Sequence, residues 1–60
     1  MNSFLFSLNQ SVKLKVSGEA GYIRARSDGL DRPNTYMVTY CNAQGVAAET
    51  WWNEDQLAAN

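Results

Sequence analysis

The side chains of this 60-residue chain that could carry chemistry fall into three groups. The first is acidic: Glu19, Asp28, Asp31, Glu49, Glu54 and Asp55 are scattered, and no histidine exists to serve them as a base or a metal ligand. The one cysteine, Cys41, lacks an imidazole partner that would activate it, so a half-buried structural thiol is its expected role. A structural zinc site needs about four Cys or His ligands, which this composition does not supply. Glu54-Asp55 suits the first turn of a helix, where carboxylates meet the positive end of the dipole, better than an acid/base pair. No catalytic residue, metal ligand or cofactor is assigned, and conventional hydrolytic or metal catalysis is not expected.

The second group is basic. Lys13, Lys15, Arg24 and Arg26 stand at alternate positions in two stretches, VKLK and YIRARS. On strands, that spacing puts all four on one outer surface. There they would contact phosphates, with Tyr22 free to stack a base. The bland alternative is a solvated sheet face with cross-strand partners in Glu19 or Glu49. The third group is aromatic. Adjacent Trp51 and Trp52 must point to opposite faces of any strand they share. The outward indole, with Met37 and Tyr22, would form an apolar patch of the kind found at interface centres. Its competing placement is under the N-terminal arm, against Phe4 or Phe6.

The elements that position these groups follow from period-two patterning. Tyr36, Val38 and Tyr40 alternate with Met37, Thr39 and Cys41, which marks a strand. Ala43-Gln44-Gly45 reads as a three-residue hairpin loop whose last position wants positive φ, free of Cβ strain at Gly45. That loop length pairs Asn42 with Val46, Tyr40 with Ala48, Val38 with Thr50 and Tyr36 with Trp52. One face then carries Tyr36, Val38, Tyr40, Ala48, Thr50 and Trp52 without a charge, and is the core candidate. The other carries Met37, Thr39, Cys41, Ala47, Glu49 and Trp51. A two-residue loop would set Val38 against Glu49, a mismatch across faces.

Upstream, Val12, Leu14 and Val16 alternate with lysines, giving a strand with one buried face. Ser17–Gly21 is a hairpin turn, since no Gly-Lys-Ser/Thr follows to make a phosphate loop. In the next strand Ile23 and Ala25 face in, and Tyr22, Arg24 and Arg26 face out. Ser27–Asn34 reads as a loop, with turn signals at Asp28-Gly29 and Pro33. Residues 1–10 form an apolar arm over the core's open end or a short edge strand, from Phe4, Phe6 and Leu8. After the hairpin, Asn53 caps a short helical turn at Glu54, Asp55 and Gln56, Leu57 falls back on Trp52, and Ala58–Asn60 fray.

Composition bounds the rest. The chain makes one domain, 1–60, of a size that buries only about 60% of its unfolded surface, so self-association would help it. A formal net charge of −1 and a charged fraction of 18% indicate neither a dedicated nucleic-acid binder nor an acidic tail. One cysteine excludes an internal disulfide. No segment is long enough to span a bilayer, and the N-terminal apolar run lacks the basic flank of a signal peptide. A cytoplasmic setting is expected.

Val12-Lys13-Leu14-Lys15, Ser17-Gly18 and Gly21-Tyr22-Ile23 resemble the opening strand, turn and second strand of SH3-like barrels of the KOW and Tudor type. Tyr36–Tyr40, the Gly45 turn, Trp51-Trp52 and Glu54-Asp55-Gln56-Leu57 resemble the later strands and closing turn of the same class, as in small uncharacterised SH3-like proteins of bacteria and their phages. The resemblance implies an all-β fold: a small barrel of four to five antiparallel strands with one short helical turn near the C-terminus. It also admits an aromatic cage for methylated lysine, which needs several aromatics converging on one rim.

The expectation is a non-enzymatic protein-interaction module. It would bind a protein partner, or a second copy as a homo-oligomer, through Trp51, Met37, Tyr22, Arg24 and Arg26. A nucleic-acid accessory protein using Lys13, Lys15, Arg24 and Arg26 is the alternative. The remote third reading is an enzyme whose site forms only on oligomerisation. The type II dihydrofolate reductases have that arrangement, and this chain resembles them in size and fold class alone.

Overall fold

The computed structural model describes residues 3–42 and 44–60. Five antiparallel strands make one sheet: β1 (Ser11–Leu14), β2 (Ala20–Gly29), β3 (Arg32–Cys41), β4 (Ala47–Asn53) and β5 (Leu57–Ala59). A 3-10 turn, Glu54–Gln56, separates the last two. The spatial order is β4-β3-β2-β1-β5, so β4 and β5 are the edges. The class is all-β, and the helical turn stands after Asn53 as the sequence indicates.

The β3–β4 hairpin has the register its loop length dictates: Tyr36 pairs with Trp52, Val38 with Thr50 and Tyr40 with Ala48. Asn42 N donates to Val46 O at 3.0 Å, and its Oδ1 accepts from Gln44 N and Val46 N at 3.0 and 3.1 Å. Gly45 has φ +78, a conformation that costs a residue without Cβ little. Ala43, the expected first loop residue, lies outside the described residues.

The core lies under one face of the sheet. Val12, Leu14, Ile23, Tyr36, Val38 and Leu57 are buried there together with Phe6 of the arm. Trp52 is half-buried against this cluster rather than filling it, and Tyr36 is the largest fully buried side chain. Gly21 is in β2, not in the turn before it. A Cβ there would sit 2.6 Å from Thr39 O and 2.7 Å from Val38 Cγ1, so only glycine lets β2 lie this close to β3.

Four local expectations are corrected. Ser27–Asn34 is no loop: β2 runs to Gly29, β3 starts at Arg32, and Leu30-Asp31 form the tip, with Asp31 at φ +64. Pro33 is tolerated because the ladder is irregular there. Ser27 pairs with Thr35 and Gly29 with Arg32, leaving Pro33 and Asn34 opposite Asp28 alone. Val16 is not on a strand but in the β1–β2 turn, 80% exposed. Ala58 and Ala59 do not fray, because β5 pairs Ala59 with Val12 and Ala58 with Lys13. Asn60 N still reaches Ser11 O at 3.2 Å.

Residues 3–10 form the arm and contain no edge strand. Phe6 is buried and Phe4 half-buried, each edge-on to the Tyr36 ring at centroid distances of 5.3 and 5.9 Å. Asn9 N donates to Ile23 O and Ile23 N to Gln10 O, at 2.7 and 3.0 Å, fastening the arm's end to β2.

Candidate functional site

A bulge in β2 decides which side chains share the outer face. Ile23 pairs with Val38 and Ala25 with Met37, so Arg24 is the extra residue. An extra residue shifts the alternation by one, and every side chain after it changes face. Ala25 is therefore on the face of Met37, not inward as periodicity alone indicates. Arg26 pairs with Tyr36 on the opposite side. Its guanidinium lies 4.6 Å from the Phe4 ring centroid, and Nη1 donates to Phe6 O at 3.2 Å. The cation expected to complete the basic surface instead clamps the arm.

The outer face of β2, β3 and β4 then has three rows. Tyr22, Thr39 and Glu49 form the first, Ala25, Met37 and Trp51 the second, and Ser27, Thr35 and Asn53 the third. Trp51 and Met37 are direct cross-strand neighbours, and Tyr22 lies diagonal to Met37. Trp51 is 47% exposed and Tyr22 55%. Phe4 and Phe6 stack on Tyr36 on the core side, so neither of these rings covers Trp51. Glu49 accepts from Thr39 Oγ1 at 2.8 Å and Glu19 from Ser17 Oγ at 3.1 Å; these hydroxyls take the place of the expected cationic partners.

Lys13 lies on the outer side of β1, beside Ala20 and Ala58, while Lys15 follows the strand and donates its N–H to Gln56 O at 3.0 Å. Both side chains are exposed, as is that of Arg24. All four expected cations are exposed, but Arg26 leaves the set because its guanidinium is held by Phe4 and Phe6. Cys41 is exposed, not half-buried, because it ends β3 on the outer face.

The sequence reading passes over an open groove of about 340 Å³ lined by Ser27, Arg32, Thr35 and Trp51. Arg32 Nη2 donates to Ser27 Oγ at 3.2 Å and Thr35 Oγ1 to Ser27 O at 3.3 Å, so hydroxyls and a guanidinium frame one edge of the indole. The signal was masked by assigning Ser27–Asn34 to a loop.

Comparison with family models, curated proteins and solved structures finds no match.

On the opposite side is a polar cluster that holds the arm. The Tyr36 hydroxyl donates to Glu54 Oε2. The same carboxylate oxygen accepts from Leu5 N at 3.1 Å and Asn34 Nδ2 at 3.2 Å. Tyr36 Oη in turn accepts from Leu5 N and Phe6 N at 3.0 and 3.3 Å, and Asn34 Nδ2 also reaches Ser3 O at 2.9 Å. The Tyr36 hydrogen bond, aided by those from Leu5 and Asn34, holds the Glu54 carboxyl below its ordinary pKa against the opposing effect of burial. Burial foremost, and the bond to Glu54 next, push the Tyr36 phenol up. The cluster is structural in chemistry: each group orders another part of the chain.

Proposed function

We propose that this protein is a non-enzymatic interaction module whose outer sheet face, centred on Trp51 with Met37 and Tyr22, docks a protein partner or a second copy of the chain. The observation that carries it is Trp51 itself. A half-exposed indole stands beside Met37 on the face opposite the core, while Phe4 and Phe6 of the arm pack on the other side. Arg24 at the bulge and Arg32 at the groove supply cations around that patch, and aromatic and arginine side chains are the usual anchors of interface centres.

An SH3-like architecture for the module is supported by the strand order β4-β3-β2-β1-β5 and by the 3-10 turn between β4 and β5. The nucleic-acid reading loses Arg26, which is committed to Phe4 and Phe6, and keeps Lys13, Lys15 and Arg24. The experiment is affinity capture with wild type and Trp51→Ala, each first shown to be folded by thermal unfolding. Loss of the bound protein in the variant supports the interaction face. Unchanged capture moves the surface elsewhere. Binding to oligonucleotide that falls steeply with salt would favour the nucleic-acid reading instead.

A further inference from the structure

Among the described residues β4 pairs with β3 alone, and its other edge lacks the devices that keep strand edges apart. Across its seven residues, Ala47 to Asn53, there is no proline, no lysine and no bulge, and the one charge is Glu49. Its register shows which backbone groups are free. Asn42 and Val46 close the hairpin with a hydrogen bond, so by antiparallel alternation Ala48, Thr50 and Trp52 bond to β3. The N–H and C=O groups of Ala47, Glu49 and Trp51 point outward.

Resting on the interaction-face reading above, we infer that two copies of this chain pair β4 with β4 antiparallel about a two-fold axis at Thr50. The register is selected by the sequence. Thr50 is the midpoint of β4, so this axis overlaps all seven residues. Glu49 then exchanges backbone hydrogen bonds with the partner copy's Trp51, and the outward-facing groups of both strands meet. On the core side, Ala48 stands opposite the second copy's Trp52, a small side chain against a large one. Thr50 stands opposite itself, a favourable cross-strand pair. An axis at Glu49 would oppose two like charges, and an axis at Trp51 would shorten the overlap at both ends. A net charge of −1 adds little repulsion between copies. The sheet becomes continuous across both molecules, and each exposed Trp51 gains a neighbour.

The test uses proline where the N–H points outward. Ala47→Pro and Glu49→Pro remove the donors needed by a second strand without removing a bond to β3. Sedimentation of wild type should show a concentration-dependent dimer. Both variants should stay monomeric with a thermal midpoint near the wild-type monomer's. In a Cys41→Ser background, Thr50→Cys should cross-link between copies on air oxidation, whereas Ala48→Cys should not. Concentration-dependent protection of the Glu49 and Trp51 amides from hydrogen exchange reads the same contact without any substitution. A wild type that is monomeric to millimolar concentration overturns the pairing, and Trp51-dependent capture of another protein would then leave the interaction face standing. A dimer broken by Trp51→Ala but kept by both proline variants overturns the edge in favour of the face.

Discussion

The hydroxyl of Tyr36, in the middle of the sheet, donates to the carboxylate of Glu54 at the start of the 3-10 turn, and both groups accept the backbone N–H of Leu5. A strand, a turn and the N-terminal arm are thus joined at one point. The turn is short and exposed on its far side, so its position depends on this junction and on the Gln56 side chain, which accepts from Asn53 N at 2.8 Å.

Tyr36→Phe keeps the ring that Phe4 and Phe6 pack on but removes the hydroxyl. It leaves Phe6 N without its side-chain partner and Glu54 without its strongest donor. Such a loss costs about 1–3 kcal/mol. Urea denaturation should show a lower midpoint with an unchanged slope, and arm residues Leu5 and Phe6 should exchange their amide protons faster than the core strands.

The same junction gives stability a pH dependence. The Glu54 pKa is lower folded than unfolded, so its contribution is full above the unfolded carboxyl value and is lost as pH falls through the folded one. The Tyr36 pKa is raised, so its contribution is full below about 10 and is lost as pH rises through the folded value. Thermal midpoints measured against pH should fall at both extremes. Glu54→Gln, which cannot ionise, should flatten the acid limb and weaken the alkaline one only in part, because burial, the larger cause, still raises the Tyr36 phenol.

Much of this fold was legible in the sequence because it rests on local rules. The three-residue loop ending at Gly45 set the β3–β4 register, and alternation then separated Trp51 from Trp52. Three things were not legible, each for a physical reason. The bulge at Arg24 leaves no signature in period-two alternation, yet it moves Ala25 out and sends Arg26 to Phe4. Pro33 speaks against a strand only where its neighbour needs a donor, and the ladder irregularity at Asp28 removes that need. The Glu54 contact to Tyr36 spans 18 positions, so spacing alone assigns the carboxylate to its own turn.

Gly18 and Gly21 should respond differently to alanine. Gly18 has φ +79 with nothing near a new Cβ, so Gly18→Ala costs about 1 kcal/mol from backbone strain alone. Gly21→Ala meets the Thr39 carbonyl and the Val38 side chain and forces β2 away from β3. Chemical denaturation should find the first variant folded and the second far less stable or unfolded.

Trp52→Ala tests the extent of the core. Because the indole is half-buried, the cost should be about 2–3 kcal/mol, below that of a fully enclosed tryptophan. Its Nε1 is buried without a partner, so Trp52→Phe gives up area but no hydrogen bond. Equilibrium unfolding should place Trp52→Phe between wild type and Trp52→Ala.

The outer face is the central claim, and Trp51 is its aromatic anchor directly beside Met37. The most direct measurement is affinity capture from the native host by three immobilised proteins of matched thermal midpoint: wild type, Trp51→Ala and Val46→Ala. Val46 is 56% exposed at the hairpin loop and serves as the control for loss of exposed apolar surface. The expected result is that wild type and Val46→Ala retain the same bound protein, whether another chain or further copies of this one, while Trp51→Ala retains less than a tenth of it. Equal retention by all three would contradict the assignment of this face.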